Sequence, residues 1–202
     1  MATMTTPSWD AAYAAAEPPP WDTGRPQPVF ARLAAQGLLT GELLDCGCGT
    51  GEQTLLALAH GADALGIDVS PQAISQARAK AAERGVPARF EVADALDLAA
   101  LGRTFDTVID SGVFHVFSDE DRARYVASLA SVLRAGGYCY LISFSDRQPG
   151  TFGPHRISQD ELHAAFSDGW EIAGIEAATF ELRQSSFGIP VAQAWLATLQ
   201  RR

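Results

Sequence analysis

Two rhythms of apolar residues alternate along most of this chain. Short, largely apolar runs at Leu43–Cys46, Ala64–Asp68, Arg89–Val92, Phe105–Asp110 and Tyr138–Phe144 have the length of strands. Between them, Glu52–Ala59, Pro71–Arg84 and Asp119–Arg134 read as helices. Ser70 before Pro71 joins a capping residue to a proline at the first helical position, and Ser118 precedes an acidic first turn, Asp119-Glu120-Asp121. Gly136-Gly137 is expected to end the third of these helices. Ser158-Gln159-Asp160-Glu161 forms a capping box that opens a further helix to about Phe166. Trp170–Leu182 and Pro190–Leu199 follow as two β-rich runs without a helix-length spacer, which predicts an antiparallel hairpin. Strands alternating with helices require a parallel sheet covered on both faces. The pattern predicts an α/β fold: a Rossmann-like, doubly wound sheet with a C-terminal antiparallel hairpin.

The opening of the chain departs from that rhythm. In SWDAAYAAAEPPPWDTGRPQP, residues 8–28, Ser8 is placed to cap a short Ala-rich helix, and Pro18, Pro19 and Pro20 must end it. PWDTGRPQP is too rich in Pro and Gly for regular structure, and Val29, Phe30 and Leu33 then mark a helix to about Gln36. No internal repeat or long linker divides the sequence. Residues 1–40 therefore read as an N-terminal helical lid and leading helix of the same domain whose core is 41–202.

Composition narrows the partners. The chain has 202 residues, 47% hydrophobic and 19% charged, an ordinary globular balance. Its net charge is −9 and its arginines are scattered singly and in pairs, which argues against a nucleic-acid groove. No apolar stretch approaches the ~20 residues of a membrane span. Met1–Asp10 has neither the basic start nor the apolar run of a signal peptide. Three cysteines is an odd count, and Cys46 and Cys48 are too close for an ordinary bridge, so a reduced, cytoplasmic protein is expected, as a monomer or homodimer. Cys46-x-Cys48 offers two ligands where a zinc site needs more, and Cys139 has no matching partner, so no metal is expected.

The chemistry concentrates after the first strand, in Asp45-Cys46-Gly47-Cys48-Gly49-Thr50-Gly51-Glu52. Glycines at every second position let a ligand approach the backbone and turn the chain sharply into a helix. A dinucleotide loop would carry its third glycine where Glu52 stands, and Asp45 and Glu52 flank the loop with negative charge. Two carboxylates suit a cationic ligand without phosphate, namely S-adenosylmethionine. No P-loop motif is present. Asp68 ends the second strand 23 residues after Asp45, placed to accept hydrogen bonds from both ribose hydroxyls. After the third strand, in Val92-Ala93-Asp94-Ala95, Asp94 can meet an adenine amino group.

These residues resemble the class I S-adenosylmethionine-dependent methyltransferases. The matching motifs are Leu43-Leu44-Asp45-Cys46-Gly47-Cys48-Gly49-Thr50-Gly51, Gly66-Ile67-Asp68, Ala93-Asp94-Ala95, Phe105-Asp106-Thr107-Val108-Ile109-Asp110 and the turn Leu133-Arg134-Ala135-Gly136-Gly137. They span residues 41 to 144, and the resemblance implies a seven-stranded sheet that uses almost all the remainder. Pro20-Trp21-Asp22-Thr23-Gly24-Arg25-Pro26 resembles an element of the thiopurine-methyltransferase-like branch, which also includes halide and thiol methyltransferases. With Asp110-Ser111-Gly112-Val113-Phe114-His115-Val116-Phe117 and Gly153-Pro154-His155-Arg156-Ile157-Ser158, the chain is similar to bacterial heterocyclic-toxin methyltransferases, which act on quinolone-like rings. The resemblance implies S-adenosylmethionine as cofactor, S-adenosylhomocysteine as product, and O- or N-methylation of a small aromatic or heterocyclic acceptor. The expected cofactor contacts are Trp21, Asp45, Gly47, Gly49, Gly51, Asp68, Val69, Asp94, Ala95 and Asp110.

Methyl transfer is an in-line displacement at an activated carbon, so the protein aligns the acceptor, and a base assists if the acceptor carries a proton. A base should project from the end of the fourth strand. His115 is the best-placed imidazole, with Asp110 beside it as the second catalytic candidate; His155 is an alternative base. His115 is equally readable as a satisfied histidine at the start of a loop, while His60 and His163 read as surface groups. Aromatic walls suit a flat ring and a sulfonium. Trp9, Tyr13, Ser111, Phe114, Phe152, His155 and Arg156 are the expected acceptor contacts. Three other readings stand beside this one: a thiol or halide methyltransferase, a non-catalytic S-adenosylmethionine-binding protein, and an NAD-dependent oxidoreductase. The last is opposed by Asp45 and Glu52. Nucleic-acid methylation lacks its [DN]-P-P-[YF] element, because Asp110-Ser111-Gly112-Val113 stands in that place.

Overall fold

Strands covered on both faces read as unbroken apolar runs, and β1 (Glu42–Cys46), β2 (Asp63–Asp68) and β4 (Phe105–Ser111) are buried along almost their whole length. In this computed structural model, which describes residues 6–183 and 188–202, they join β3 (Arg89–Val92), β5 (Leu133–Phe144), β6 (Trp170–Glu181) and β7 (Val191–Arg201). The seven strands form one sheet of order β3-β2-β1-β4-β5-β7-β6. The first five run parallel, and β7 lies antiparallel between β5 and β6. Strand order reverses between β1 and β4, and the crevice at their carboxyl ends is where such sheets hold ligands. Residues 1–5 of the N-terminal segment and 184–187 of the hairpin connection lie outside the described residues.

Helices α1 (Thr6–Ala14), α2 (Pro28–Ala35), α3 (Glu52–Ala59), α4 (Pro71–Glu83), α5 (Asp119–Val132) and α6 (Gln159–Ala165) complete the layers. Side chains alternate across β5, so Tyr140 and Ile142 face α2 while Cys139 and Leu141 face α5. On the first face α2 buries Val29, Phe30 and Leu33; on the second α5 buries Tyr125, Leu129 and Val132. Ser70, Ser118 and Ser158 cap α4, α5 and α6 as the sequence predicts, the last in a reciprocal capping box with Glu161. The three cysteines are free and buried. Among the described residues no helix is long and apolar enough to cross a membrane.

Two local expectations are corrected. Ser8 lies inside α1, which already begins at Thr6, so it is not the helix cap. The third predicted helix stops at Val132, and Gly136-Gly137 lie within β5 instead of ending it. There the β4–β5 register slips between Phe105–Leu133 and Thr107–Tyr138. A side chain at 137 would stand 2.7 Å from the carbonyl oxygen of Asp106, so the close approach of the two strands requires glycine. Arg134 fastens this irregular stretch by donating to Asp106 and Glu42, each at 2.6 Å.

The corner after β4 consumes three expected site residues. Asp110 accepts backbone N–H groups from Val113 (2.7 Å) and Phe114 (3.0 Å) and the Tyr125 hydroxyl (3.0 Å), and no part of it is exposed. Burial pushes its pKa up to about 6. Phe114 is fully buried against Phe166, so it packs the core instead of meeting an acceptor. His115 accepts the Phe144 N–H at Nδ1 (2.9 Å) with its ring edge-on to Phe144. Burial, and then the nearby Arg156 charge, lower its pKa to about 3. A buried neutral imidazole whose free nitrogen is already an acceptor has no means of taking a substrate proton. In this arrangement Asp110 and His115 build the corner, and their polar atoms are engaged there and not presented to an acceptor.

This histidine makes a testable contribution to acid stability. Its folded pKa lies below the ordinary value of 6.5, so the unfolded chain takes the proton first. Its contribution is complete above pH 6.5 and is lost as pH falls toward about 3. Asp45 and Asp110, raised to about 7 and about 6, act in the opposite sense, so the wild-type profile alone is ambiguous. His115→Asn keeps an acceptor for Phe144. Between pH 6 and 4 the unfolding free energies of wild type and variant should approach or cross by up to ~1.4 kcal/mol per pH unit. Parallel denaturant-derived profiles would show that His115 is not buried neutral.

Candidate active site

The loop between β1 and α3 is shaped by what surrounds it. Gly47 has φ +70°, and a side chain there would meet the Val113 methyl at 2.2 Å; one at Gly49 would meet the Tyr13 hydroxyl at 2.8 Å. Gly51 opens α3, and the Cys48 N–H is pinned to the Ile67 carbonyl of β2 (2.7 Å). Asp68, at the end of β2, accepts the Gly49 N–H on one oxygen and the Ser70 N–H on the other, both at 2.9 Å. Burial raises its pKa. One carboxylate thus ties the first loop to the second and remains at the crevice edge.

The two acids expected to repel phosphate are placed otherwise. Asp45 is wholly buried, accepts the Thr54 hydroxyl at 2.6 Å, and leaves its other oxygen without a partner. Burial pushes its pKa up to about 7. With no exposed atom, Asp45 lies behind the loop, where it can act on a ligand only through the loop backbone. Glu52 is bridged by both Arg84 guanidinium nitrogens (2.9 and 2.8 Å) and by Lys80 (2.7 Å). Burial raises its pKa, but these two cations outweigh that and hold it below the usual carboxylate range. Its charge is neutralised inside the protein, so it does not repel an anion.

Over the loop lies the N-terminal segment as a strap. Asp10 accepts the Ser70 hydroxyl (2.7 Å) and the Gln72 N–H (2.9 Å), fixing α1 to the start of α4. Gln76 donates to the Tyr13 carbonyl (2.7 Å). At the far end Gln27 exchanges two hydrogen bonds with the backbone of Glu181, and Arg25 pairs with the Glu181 carboxylate at 2.8 Å. Between these anchors the Trp21 indole donates to the buried Tyr13 hydroxyl (2.9 Å), and Trp9 stands edge-on to Trp21. Asp22 accepts the Thr50 hydroxyl (3.1 Å), which accepts from Lys80 (2.7 Å).

The structure brings Tyr13, Trp21, Gly47, Gly49 and Ser111 together around one cleft of about 40 Å³. Asp22, Thr50, Gln53 and Phe180 line it too and were not singled out from the sequence; Asp22 and Thr50 left a signal there, inside the Pro20-Trp21-Asp22 element and the glycine loop. Asp94 is exposed and caps the turn that follows β3 through the Leu96 N–H (2.9 Å), with Ala95 in that turn and Val69 half-buried beyond β2. Phe152, His155 and Arg156 belong to a loop after β5. Arg156 lies between the Phe144 and Phe152 rings with its nitrogens on backbone carbonyls, and exposed His155 pairs with Glu161 at 2.7 Å. The larger cavity, about 870 Å³, opens at the opposite ends of the strands between α2, Tyr138 and Tyr140, and no expected site residue lines it. Among the described residues no group of three His, Cys, Asp or Glu is arranged to hold a metal ion.

Known proteins resemble this chain in sequence and fold. A family profile described as a methyltransferase domain matches residues 43–137. A 2-heptyl-1-hydroxyquinolin-4(1H)-one methyltransferase of Mycobacteroides abscessus is 37% identical over 164 residues, 79% of this chain and 72% of that protein. A structure solved in work on the conversion of a disulfide bond into a thioacetal group during echinomycin biosynthesis is 37% identical, with a TM-score of 0.88 over 98% of this chain and 93% of that one. The magnesium protoporphyrin IX methyltransferase of Synechocystis PCC 6803, crystallised with S-adenosylmethionine, shares the fold at 24% identity, with a TM-score of 0.66 over 86% of this chain and 76% of that one. The chain belongs to the class I S-adenosylmethionine-dependent methyltransferases.

Proposed function

We propose that this methyltransferase acts on a small, flat heterocyclic or aromatic acceptor, at a ring oxygen or nitrogen, in the manner of heterocyclic-toxin methyltransferases. The observation that carries this reading is the cleft beside Gly47 and Gly49, walled by the rings of Tyr13, Trp21 and Phe180 and by Ser111. Such walls suit a planar ring, and the Mycobacteroides relative is named for a hydroxyquinolone. A sulfur acceptor is the second reading, favoured by the 37% identical structure tied to a disulfide-to-thioacetal conversion.

S-Adenosylmethionine supplies a methyl group on a sulfonium centre that is already open to displacement. The residues of this chain fit that cofactor: the glycine loop leaves no room for side chains, Asp68 stands at the crevice edge for the ribose, and Asp94 with Val69 and Ala95 flanks the place of the adenine. Trp21 and Tyr13 cover the amino-acid arm and, with Ser111 and Phe180, wall the acceptor. A cleft of about 40 Å³ holds roughly one water molecule, so the arm and the acceptor enter only when the strap lifts. Closure then excludes water from the transfer. With His115 and Asp110 sealed into the corner, the acceptor arrives as its own conjugate base, and the enzyme contributes alignment in place of proton abstraction.

Three outcomes are expected. Asp68→Ala should weaken S-adenosylhomocysteine binding by ~1–3 kcal/mol in a folded protein, read by calorimetry; unchanged affinity would remove Asp68 from the site. Labelled methyl donor offered with phenols, hydroxyquinolones, thiols and iodide should label a ring acceptor best. Across a phenol series the pH midpoint of kcat/KM should track each acceptor's own pKa, whereas one midpoint common to all acceptors would reveal an enzyme base. Finally, hydrogen exchange of residues 8–28 should slow when S-adenosylhomocysteine binds, and removal of residues 1–20 should spare binding of the nucleoside while depressing transfer. Equal protection in both states and full activity of the shortened chain would discard the lid.

A further inference from the structure

We propose that Asp22 provides the carboxylate that receives the α-ammonium group of the cofactor. The inference rests on the cleft beside the glycine loop being the S-adenosylmethionine site. The amino-acid arm of the cofactor carries an ammonium as well as a carboxylate, and in a closed cleft that ammonium needs a negative group in contact with it, because an unpaired charge there is costly. Only two carboxylate side chains line that cleft among the described residues, Asp22 and Glu52. Glu52 is spent on Arg84 and Lys80. Asp45 is wholly buried behind the loop, against Thr54. Asp68 is engaged by the N–H groups of Gly49 and Ser70 and stands at the nucleoside end.

Asp22 meets the remaining requirements. Its Oδ1 is oriented by the Thr50 hydroxyl (3.1 Å) and the Gly24 N–H (3.3 Å), both neutral donors, so its charge is aimed without being cancelled. Lys80 of α4 lies behind Thr50 at 2.7 Å but is paired with Glu52, and Arg25, the cation of the strap, is paired with Glu181. The carboxylate also sits on the strap beside Trp21, so a bound ammonium would draw the strap down over the arm that carries it. Asp22 thereby becomes the link between cofactor charge and closure of the site, and Thr50 its positioning residue.

Asp22→Asn keeps an oxygen for Thr50 and Gly24 and removes only the charge. Binding is read by calorimetry with three probes: S-adenosylmethionine, S-adenosylhomocysteine and 5′-methylthioadenosine, the last without the amino-acid arm. The variant should lose about tenfold in affinity for the first two and bind methylthioadenosine as wild type does. Thr50→Val should show the same selectivity with about a threefold loss. Wild-type affinity of Asp22→Asn for S-adenosylhomocysteine would overturn the proposal. So would an equal loss for all three probes, which marks a structural role in the strap, or a loss confined to S-adenosylmethionine, which places the charge at the sulfonium. If wild type binds neither S-adenosylmethionine nor its product, the reading of the cleft fails instead, independently of the variants.

Discussion

The carboxylate of Asp68 joins the loop after β1 to the start of α4. One oxygen takes the Gly49 N–H from the loop after β1, and the other takes the Ser70 N–H where α4 begins. Parallel pairing brings the two strand ends side by side, but it does not orient the backbone beyond them. Two charge-assisted bonds from one buried group do so, and they turn the Gly49 amide and the first turn of α4 toward the same crevice. The strap depends on this junction in turn, since Asp10 docks on Ser70, which Asp68 holds in place, and on the nearby Gln72.

A second constraint is the distribution of charge beneath the loop. The sequence puts carboxylates at 45, 52 and 68 close to one ligand site, and burial makes each of them costly. The fold resolves the three differently. Asp45 is pushed toward its neutral form, Glu52 is neutralised by Lys80 and Arg84, and Asp68 is satisfied by backbone amides. Selectivity for a cationic cofactor therefore does not arise from a cluster of free negative charge around the loop.

Much of the fold could be read from periodicity, because strands buried on both faces and helices with serine caps carry local signals. The places where reading failed are those where one local pattern serves two structures. A glycine pair ends helices, yet Gly136-Gly137 instead lets β5 approach Asp106 within a strand. A serine before an Ala-rich run caps helices, yet Ser8 lies inside one. At the site, the glycine loop and Asp68 were legible because their spacing follows from strand ends. Asp110 and His115 occupy the position of reactive groups in sequence, but whether such residues point outward or close a corner is decided by Tyr125 and Phe144, which come from distant elements. Asp22 was visible as part of a motif, but its chemistry depends on the strap folding back onto Thr50, 28 residues away.

The pairing of Gln27 with Glu181 joins residues 154 positions apart. It therefore has a bearing on the order of assembly. During synthesis from the N-terminus, the glycine loop and the first parallel strands can form while the latter part of the chain is still absent. The strap has nothing to dock against at its second anchor until β6 has emerged and paired with β7. Contacts of such separation form late, after the entropy of closing the intervening chain has been overcome. Nascent or truncated chains lacking the hairpin would thus carry an open crevice with Trp9, Tyr13 and Trp21 unshielded, adding the N-terminal aromatics to the surface open to association before folding is complete.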